Sequence, residues 1–191
     1  DPLDGTKEFV SRNGEFSVML GLAIDGVSTV GAVYQPETDK LYTGVVGEGA
    51  FLAAGSERRE LRVSKTADPR ELELVVSRSH RNRAVEEVVE KLGIRSELAS
   101  GSVGLKAGLI AERVADLYIH MSNTSSAWDA CGPEAVLRAA GGRFTDLAGN
   151  PYLYGGADVR NRHGILACNA AAFDAVLPVV REAARNIGLI E

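Results

Sequence analysis

The residues best suited to chemistry open the chain. DPLDGTKEF sets two carboxylates, Asp1 and Asp4, three positions apart around a proline. Pro2 fixes its own φ and removes one backbone donor, which stiffens the loop. Close carboxylates repel unless something positive sits between them. A hard divalent cation such as Mg²⁺ takes oxygen ligands and keeps positions open for a phosphate. Asp4-Gly5-Thr6 could cap a short helix over Lys7–Arg12, whose leading N–H groups on Gly5, Thr6 and Lys7 would face an anion. Carboxylates for metal followed at once by N–H groups for phosphate make a phosphoryl-transfer arrangement. An Asx-type turn with a capping Asp fits the same letters, because Asp-Pro and Asp-Gly pairs are common turn formers.

A second acidic position, Asp129, follows the chain's only Trp in SSAWDACGPEAVLRAAGG. A helix N-terminus accommodates a carboxylate well, and for this segment standing alone a simple N-cap is the favoured account. ASGSVGLKAG places Gly101, Ser102 and Lys106 around another helix start. Backbone N–H groups with a Lys point charge suit a second phosphate, and a Ser-capped helix with Lys on a solvated face suits the same pattern. His80, in SRSH, follows a buried strand and is open to a surface, core or ligand role. Arg58, Arg59 and Arg62 read as a solvated edge.

These residues need elements to hold them. Phe16, Val18, Leu20, Leu22 and Ile24 alternate at period two, which predicts a strand. Asp25-Gly26 is a hairpin signal and residues 27–35 the returning strand. Short strands fit Leu41–Val46 and Ala50–Ala53, so the first third is expected to be an antiparallel meander. Beyond it, strands at Leu72–Ser77, Asp116–Ile119, 143–146 and 164–168 alternate with helices over Arg83–Leu92, 103–113, Trp128–Ala140 and 170–186, which predicts an α/β half. Pro133 is tolerable only near the first turn of its helix. Ala135, Ala139 and Ala140 keep one face of that helix slim for close packing, and Gly141-Gly142 ends it. The junction is placed near 55–70, a charged stretch with one Pro. The expected organisation is residues 1–65 as an antiparallel-sheet domain with the acidic loop, and 66–191 as an α/β domain.

Composition sets the outer bounds. The 191 residues are 45% hydrophobic and 25% charged, with 21 basic and 26 acidic side chains and net charge −5. That leaves no basic excess to drive binding to a nucleic acid polymer or an anionic membrane. No apolar run approaches the roughly 18 residues of a membrane span. Cys131 and Cys168 are in no CxxC pair and read as buried, reduced thiols, which points weakly to the cytoplasm.

Together, DPLDGTKEF and WDACGPEAVLRAAGG resemble the two signatures of the inositol monophosphatase superfamily of Mg²⁺-dependent, lithium-sensitive phosphatases. Gly31–Pro36 and the AGNP turn at Ala148–Pro151 fit as well. KEF after DPLDGT, and RNGEF just beyond, resemble the 3'(2'),5'-bisphosphate nucleotidase branch more than the inositol branch. The resemblance implies a layered α/β sandwich of the sugar-phosphatase type and two or three Mg²⁺ ions. Asp1 would bridge two of them, the Leu3 carbonyl would bind the first, and Asp4 and Asp129 the second. Gly5 and Thr6 would hold the scissile phosphate by N–H groups, with the Thr6 hydroxyl helping to orient the attacking water. His80, Gly101, Ser102 and Lys106 would contact the nucleotide. His120 stands where relatives often carry Arg, which weakens one anion contact, because His is only partly charged at neutral pH. The implied substrate is a small phosphate ester: adenosine 3',5'-bisphosphate first, an inositol or sugar phosphate second. In the family a helical segment carrying a metal-binding Glu precedes the first motif, and it cannot be assigned in a chain that opens on Asp1. The expectation is an incomplete first metal site, feeble activity or metal and nucleotide binding alone, and an uncovered apolar sheet face that favours a homodimer.

Overall fold

The structure is a computed structural model, and it describes residues 1–78 and 82–191. After a short helix α1 (Thr6–Val10), five strands run as an antiparallel meander. They are β1 (Val18–Ile24), β2 (Val27–Gln35), β3 (Lys40–Val45), β4 (Gly49–Ala54) and β5 (Glu57–Leu61), in spatial order β1-β2-β3-β4-β5. Asp25 and Gly26 have φ of 51° and 78°, the pair of left-handed residues that a tight hairpin turn requires. The strand β5 was not anticipated. ERREL buries only Leu61, so it carries no apolar alternation and reads as charged linker, which is also how a protein blunts an exposed sheet edge.

The second sheet holds β6 (Glu73–Ser77), β7 (Ser96–Ser100), β8 (Leu117–His120), β9 (Gly142–Thr145) and β10 (Ile165–Asn169), in order β7-β6-β8-β10-β9. β6 is parallel to β7 and β8, and β10 is antiparallel to β8 and β9. α2 (Arg83–Leu92) and α3 (Val103–Ala111) connect the parallel strands; α4 (Ala127–Ala139) and α5 (Phe173–Asn186) follow β8 and β10. β7 was also missed, because SELAS is a short outer strand with only Ser100 buried.

Three apolar clusters set the layers. Met19, Val33, Tyr42 and Leu52 of the first sheet meet Leu105 of α3 and Val136 of α4. Val75, Tyr118 and Ile165 of the second sheet meet Val103, Ile110 and Leu137 on the same two helices. The other face of the second sheet is closed by Val88 and Leu92 of α2 with Val176 and Val180 of α5. The outer face of the first sheet has no such cover: Leu20 and Leu22 are 71% and 54% exposed.

The close seating of α4 depends on glycine. Gly21, Gly31 and Gly44 are register partners across three strands. A Cβ on Gly31 would lie 2.1 Å from the Gly132 carbonyl oxygen, and one on Gly132 would lie 2.5 Å from that of Leu20. Helix and sheet therefore meet backbone to backbone. Pro133 stands in the helix interior rather than near its first turn, contrary to the sequence expectation. Its missing N–H would have bonded the Asp129 carbonyl, and the sheet contacts at Gly132 and Ala135 hold the helix through that gap.

Candidate metal and phosphate site

The acidic loop is fixed to the start of the first sheet. Asp4 N–H donates to the Ser17 carbonyl and Ser17 N–H to the Asp4 carbonyl, both at 2.9 Å. The Asp4 side chain then turns to the N-terminus of α3. Its Oδ2 accepts from Ser102 Oγ at 2.6 Å, Val103 N–H at 2.5 Å and Gly104 N–H at 3.3 Å. A carboxylate at a helix N-terminus is favourable, and these bonds fix which way the other oxygen points. Ser102 accordingly caps α3, receiving the Leu105 N–H, and orients Asp4.

Asp129 comes from the other side of the molecule. It is residue N3 of α4, and Ser126, not Asp129, is the N-cap. The Ser126 N–H donates to Asp129 Oδ2 at 2.7 Å, completing a capping box. Burial holds the Asp129 carboxyl above the usual carboxylate range; the Ser126 bond opposes this and the Asp4 charge adds to it. The glycine-dependent seating of α4 brings this residue to the loop. Ligand atoms of Asp1, Asp4 and Asp129 all lie within 4.8 Å of one another. Three half-buried carboxylates this close repel, and an all-oxygen donor set fits a hard divalent cation.

Next to them, Gly5 is the N-cap of α1, with φ of 90°. The first bond of α1 runs from Phe9 N–H to the Gly5 carbonyl, so the Gly5 and Thr6 N–H groups have no partner within the helix. The Thr6 hydroxyl donates to the Leu3 carbonyl at 3.4 Å. Asp4, Gly5, Thr6 and Asp129 line one cleft of 310 Å³.

Gly101, Ser102, Lys106 and His120 also line that cleft. Gly101 N–H donates to Glu15 Oε2 at 2.8 Å, and a Cβ there would lie 2.2 Å from the Glu15 carbonyl. Lys106 is not on a solvated face. It is 2% exposed, donates to the Gly101 and Ser100 carbonyls, and lies over the Tyr118 ring. Burial lowers its pKa to about 8 against the raising fields of Asp4, Glu8 and Glu15. His120 is half-buried at the end of β8. His80 lies outside the described residues. Sequence reasoning missed Glu8, Tyr118, Thr124 and Ser125 as lining residues. The alternation of ADLYIH could have flagged Tyr118; nothing in the local sequence marks the others. Both cysteines are free and buried, as expected.

A layered α/β protein with a carboxylate cluster that could hold a cation, beside open helix N–H groups, is the class these observations define. Residues 1–185 match the model of the inositol monophosphatase family, and the chain belongs to that family. It is similar to the 3'(2'),5'-bisphosphate nucleotidase CysQ of Escherichia coli strain K12, 38% identical over 154 residues, which are 81% of this chain and 60% of that protein. The structure of CysQ from Bacteroides thetaiotaomicron superposes with TM-score 0.77 at 31% identity, covering 90% of this chain and 68% of that one. That of an inositol monophosphatase from Anabaena gives 0.78 at 30% identity, covering 96% and 72%. The chain thus spans about 60% of the length of the E. coli relative it matches. No helix among the described residues is long and apolar enough to cross a membrane.

Proposed function

We propose that this chain carries the metal and phosphate site of a Mg²⁺-dependent phosphomonoesterase that removes the 3'-phosphate of adenosine 3',5'-bisphosphate, giving AMP and inorganic phosphate. The observation that carries the reading is the convergence of Asp1, Asp4 and Asp129 beside the open N–H groups of Gly5 and Thr6. The similarity to nucleotidases named CysQ supports the nucleotide as substrate. Bound Mg²⁺ would supply an acidified water as nucleophile and charge stabilisation for the leaving oxygen. Asp1, the Leu3 carbonyl, Asp4 and Asp129 would hold two or three such ions. Gly5 and Thr6 N–H groups would fix the scissile phosphate, and the Thr6 hydroxyl, already turned to the Leu3 carbonyl, would help aim the water. Ser102 acts by orienting Asp4. The likeness to an inositol monophosphatase structure supports an inositol or sugar phosphate as the second reading.

Parallel assays of phosphate release from adenosine 3',5'-bisphosphate and inositol 1-phosphate, with Mg²⁺ and with EDTA, test this. Mg²⁺-dependent release with preference for the nucleotide is expected. Preference for the inositol ester sinks the nucleotide assignment. Nucleotide binding without release assigns the chain to binding alone.

A further inference from the structure

Asn13 is the only asparagine of the chain that is followed by glycine. It stands between α1 and β1, in the turn that joins the acidic loop to the first sheet, and it is exposed. Arg12 and Gly14 on either side have φ of 56° and 78°. Glycine is required at position 14 both by that φ and by Glu37, whose Cγ a Cβ would meet at 2.6 Å. The Gly14 carbonyl accepts from Gln35 Nε2 at 2.9 Å, which fixes the turn against β2.

The Asn13 carboxamide is held by its oxygen and not by its nitrogen. Oδ1 accepts the Glu15 N–H at 3.0 Å. Among the described residues neither Asn13 Nδ2 nor the Gly14 N–H has an acceptor. Other asparagines are anchored the opposite way, through Nδ2: Asn82 to the Met121 carbonyl, Asn150 to the Asp146 carboxylate, Asn161 to the Ser126 carbonyl and Asn169 to the Thr66 carbonyl. Asn123 is exposed like Asn13, but Thr124 follows it, and a branched side chain crowds the intervening peptide nitrogen where glycine leaves it open.

We propose that Asn13 is a site of spontaneous covalent modification, at which the carboxamide closes on Gly14 to a succinimide and opens to aspartate or isoaspartate. The Gly14 nitrogen attacks Asn13 Cγ, forming a C–N bond and passing its proton to solvent. The Cγ–Nδ2 bond breaks and Nδ2 leaves, protonated, as ammonia. The Glu15 N–H already points at Oδ1, the atom on which negative charge develops during the attack. Water then opens the ring. Cleavage of the new bond yields aspartate; cleavage of the original peptide bond yields isoaspartate, whose main chain runs through Cβ and is one methylene longer. The two products differ in consequence. Glu15, two residues on, accepts the Gly101 N–H at 2.8 Å, and Gly101 lines the cleft. Aspartate keeps the backbone and an acceptor for the Glu15 N–H, whereas the longer isoaspartate chain draws Glu15 off Gly101.

Ageing the folded chain in mildly alkaline buffer at body temperature, followed by peptide mapping with mass spectrometry and isoaspartyl methyltransferase labelling, tests this. Asn13 is expected to convert at least about fivefold faster than Asn123, the rate equivalent of one hydrogen bond to the carbonyl oxygen. The aged parent should melt at a lower temperature than the fresh protein. Asn13→Ser, which keeps an acceptor for the Glu15 N–H and has no amide to lose, should melt alike fresh and aged. Conversion of Asn123 as fast as Asn13 overturns the proposal, and so does an Asn13 that stays intact in the folded protein while it converts in urea. An aged parent that carries isoaspartate and melts with the fresh protein refutes the link through Glu15.

Discussion

Two kinds of acidic site occur in this molecule, and they are built differently. Glu112, with a side chain 5% exposed, is met by Lys40 at 3.3 Å, Arg59 at 2.5 Å and the Tyr42 hydroxyl. Glu134, 2% exposed, is met by Arg138 at 3.1 Å and the Tyr154 hydroxyl. At Asp1, Asp4 and Asp129 the donors among the described residues are backbone N–H groups and one serine, while the acids crowd one another. Buried carboxylates are stable only when paired. Where the acid serves the fold, the chain supplies the cation. At the cluster no Lys or Arg side chain pairs with the acids among the described residues, and Lys106 acts on Asp4 only through its field, so a bound cation would complete the charge balance. That difference separates a site from a strut.

The sharpest way to break this comparison is Asp129→Asn. Removing one of the three carboxylates proposed to hold the cation should cut turnover at least about a thousandfold, some 4 kcal/mol of barrier. Thermal stability in EDTA should hold or rise slightly, because a like charge has been removed. A variant that melts early in EDTA and still binds Mg²⁺ would place Asp129 with the struts.

The buried Lys106 is the next probe, because it sits in the field of the cluster yet bonds only to backbone. Burial lowers its folded pKa to about 8, below the ordinary lysine range. Below pH 8 the ammonium is charged in both folded and unfolded chains, and folding carries the full burial penalty. Above pH 8 the folded form releases the proton first, the unfolded chain holds more protons, and stability rises with pH. Between pH 8 and 10 that rise should reach about 2 kcal/mol in metal-free protein, and Lys106→Met should lack it. Denaturant midpoints across that range decide the matter: parallel curves for parent and variant would refute it.

Glu134→Ala sharpens the other half of the comparison. It leaves Arg138 and the Tyr154 hydroxyl without the shared carboxylate and should cost about 2 kcal/mol, below the roughly 3–5 kcal/mol of a fully buried pair because Arg138 is one-third exposed and also donates to the Ser28 carbonyl. Mg²⁺ affinity, measured by titration, should not change. A loss of Mg²⁺ binding would make Glu134 part of the site.

How much of this was legible in the sequence differs by element. The alternation of Phe16–Ile24 and the Asp25-Gly26 turn identified the meander, but the face was not legible: Val18, Leu20, Leu22 and Ile24 lie on the exposed side of β1, and Met19 between them is the buried residue. β5 and β7 escaped because strands with one buried residue carry no period. Asp1, Asp4 and Asp129 could be singled out by type and local context, and the family resemblance implied their convergence, which spacing alone could not. It depends on Gly21, Gly31 and Gly132, scattered through the chain, whose missing side chains let α4 touch the first sheet. Ser102 read as a helix cap, and its second bond, to Asp4, is 98 residues away in sequence. Lys106 was open to a phosphate contact or a solvated helix face; only the packed fold shows it buried beneath the cleft.

The smallest effect concerns Glu15, which joins the two sheets beside the cleft and belongs with the struts. It accepts from Arg78 at 2.6 and 2.7 Å and from the Gly101 N–H at 2.8 Å. The Arg78 hydrogen bonds hold its carboxyl below the usual range, against partial desolvation. A depressed carboxyl pKa stabilises the fold above the unfolded pKa, and the contribution is lost as pH falls through the folded one. Arg78 is nearly half exposed, so solvent screening limits the gain. Glu15→Gln should therefore cost only about 1 kcal/mol at pH 7, and the gap should close in acid as the parent carboxylate takes up its proton. Urea melts of both proteins at pH 7 and under acid measure it. A gap that persists at low pH would show that shape rather than charge fixes this contact, and a fall in phosphate release larger than the stability loss explains would move Glu15 from the struts to the site.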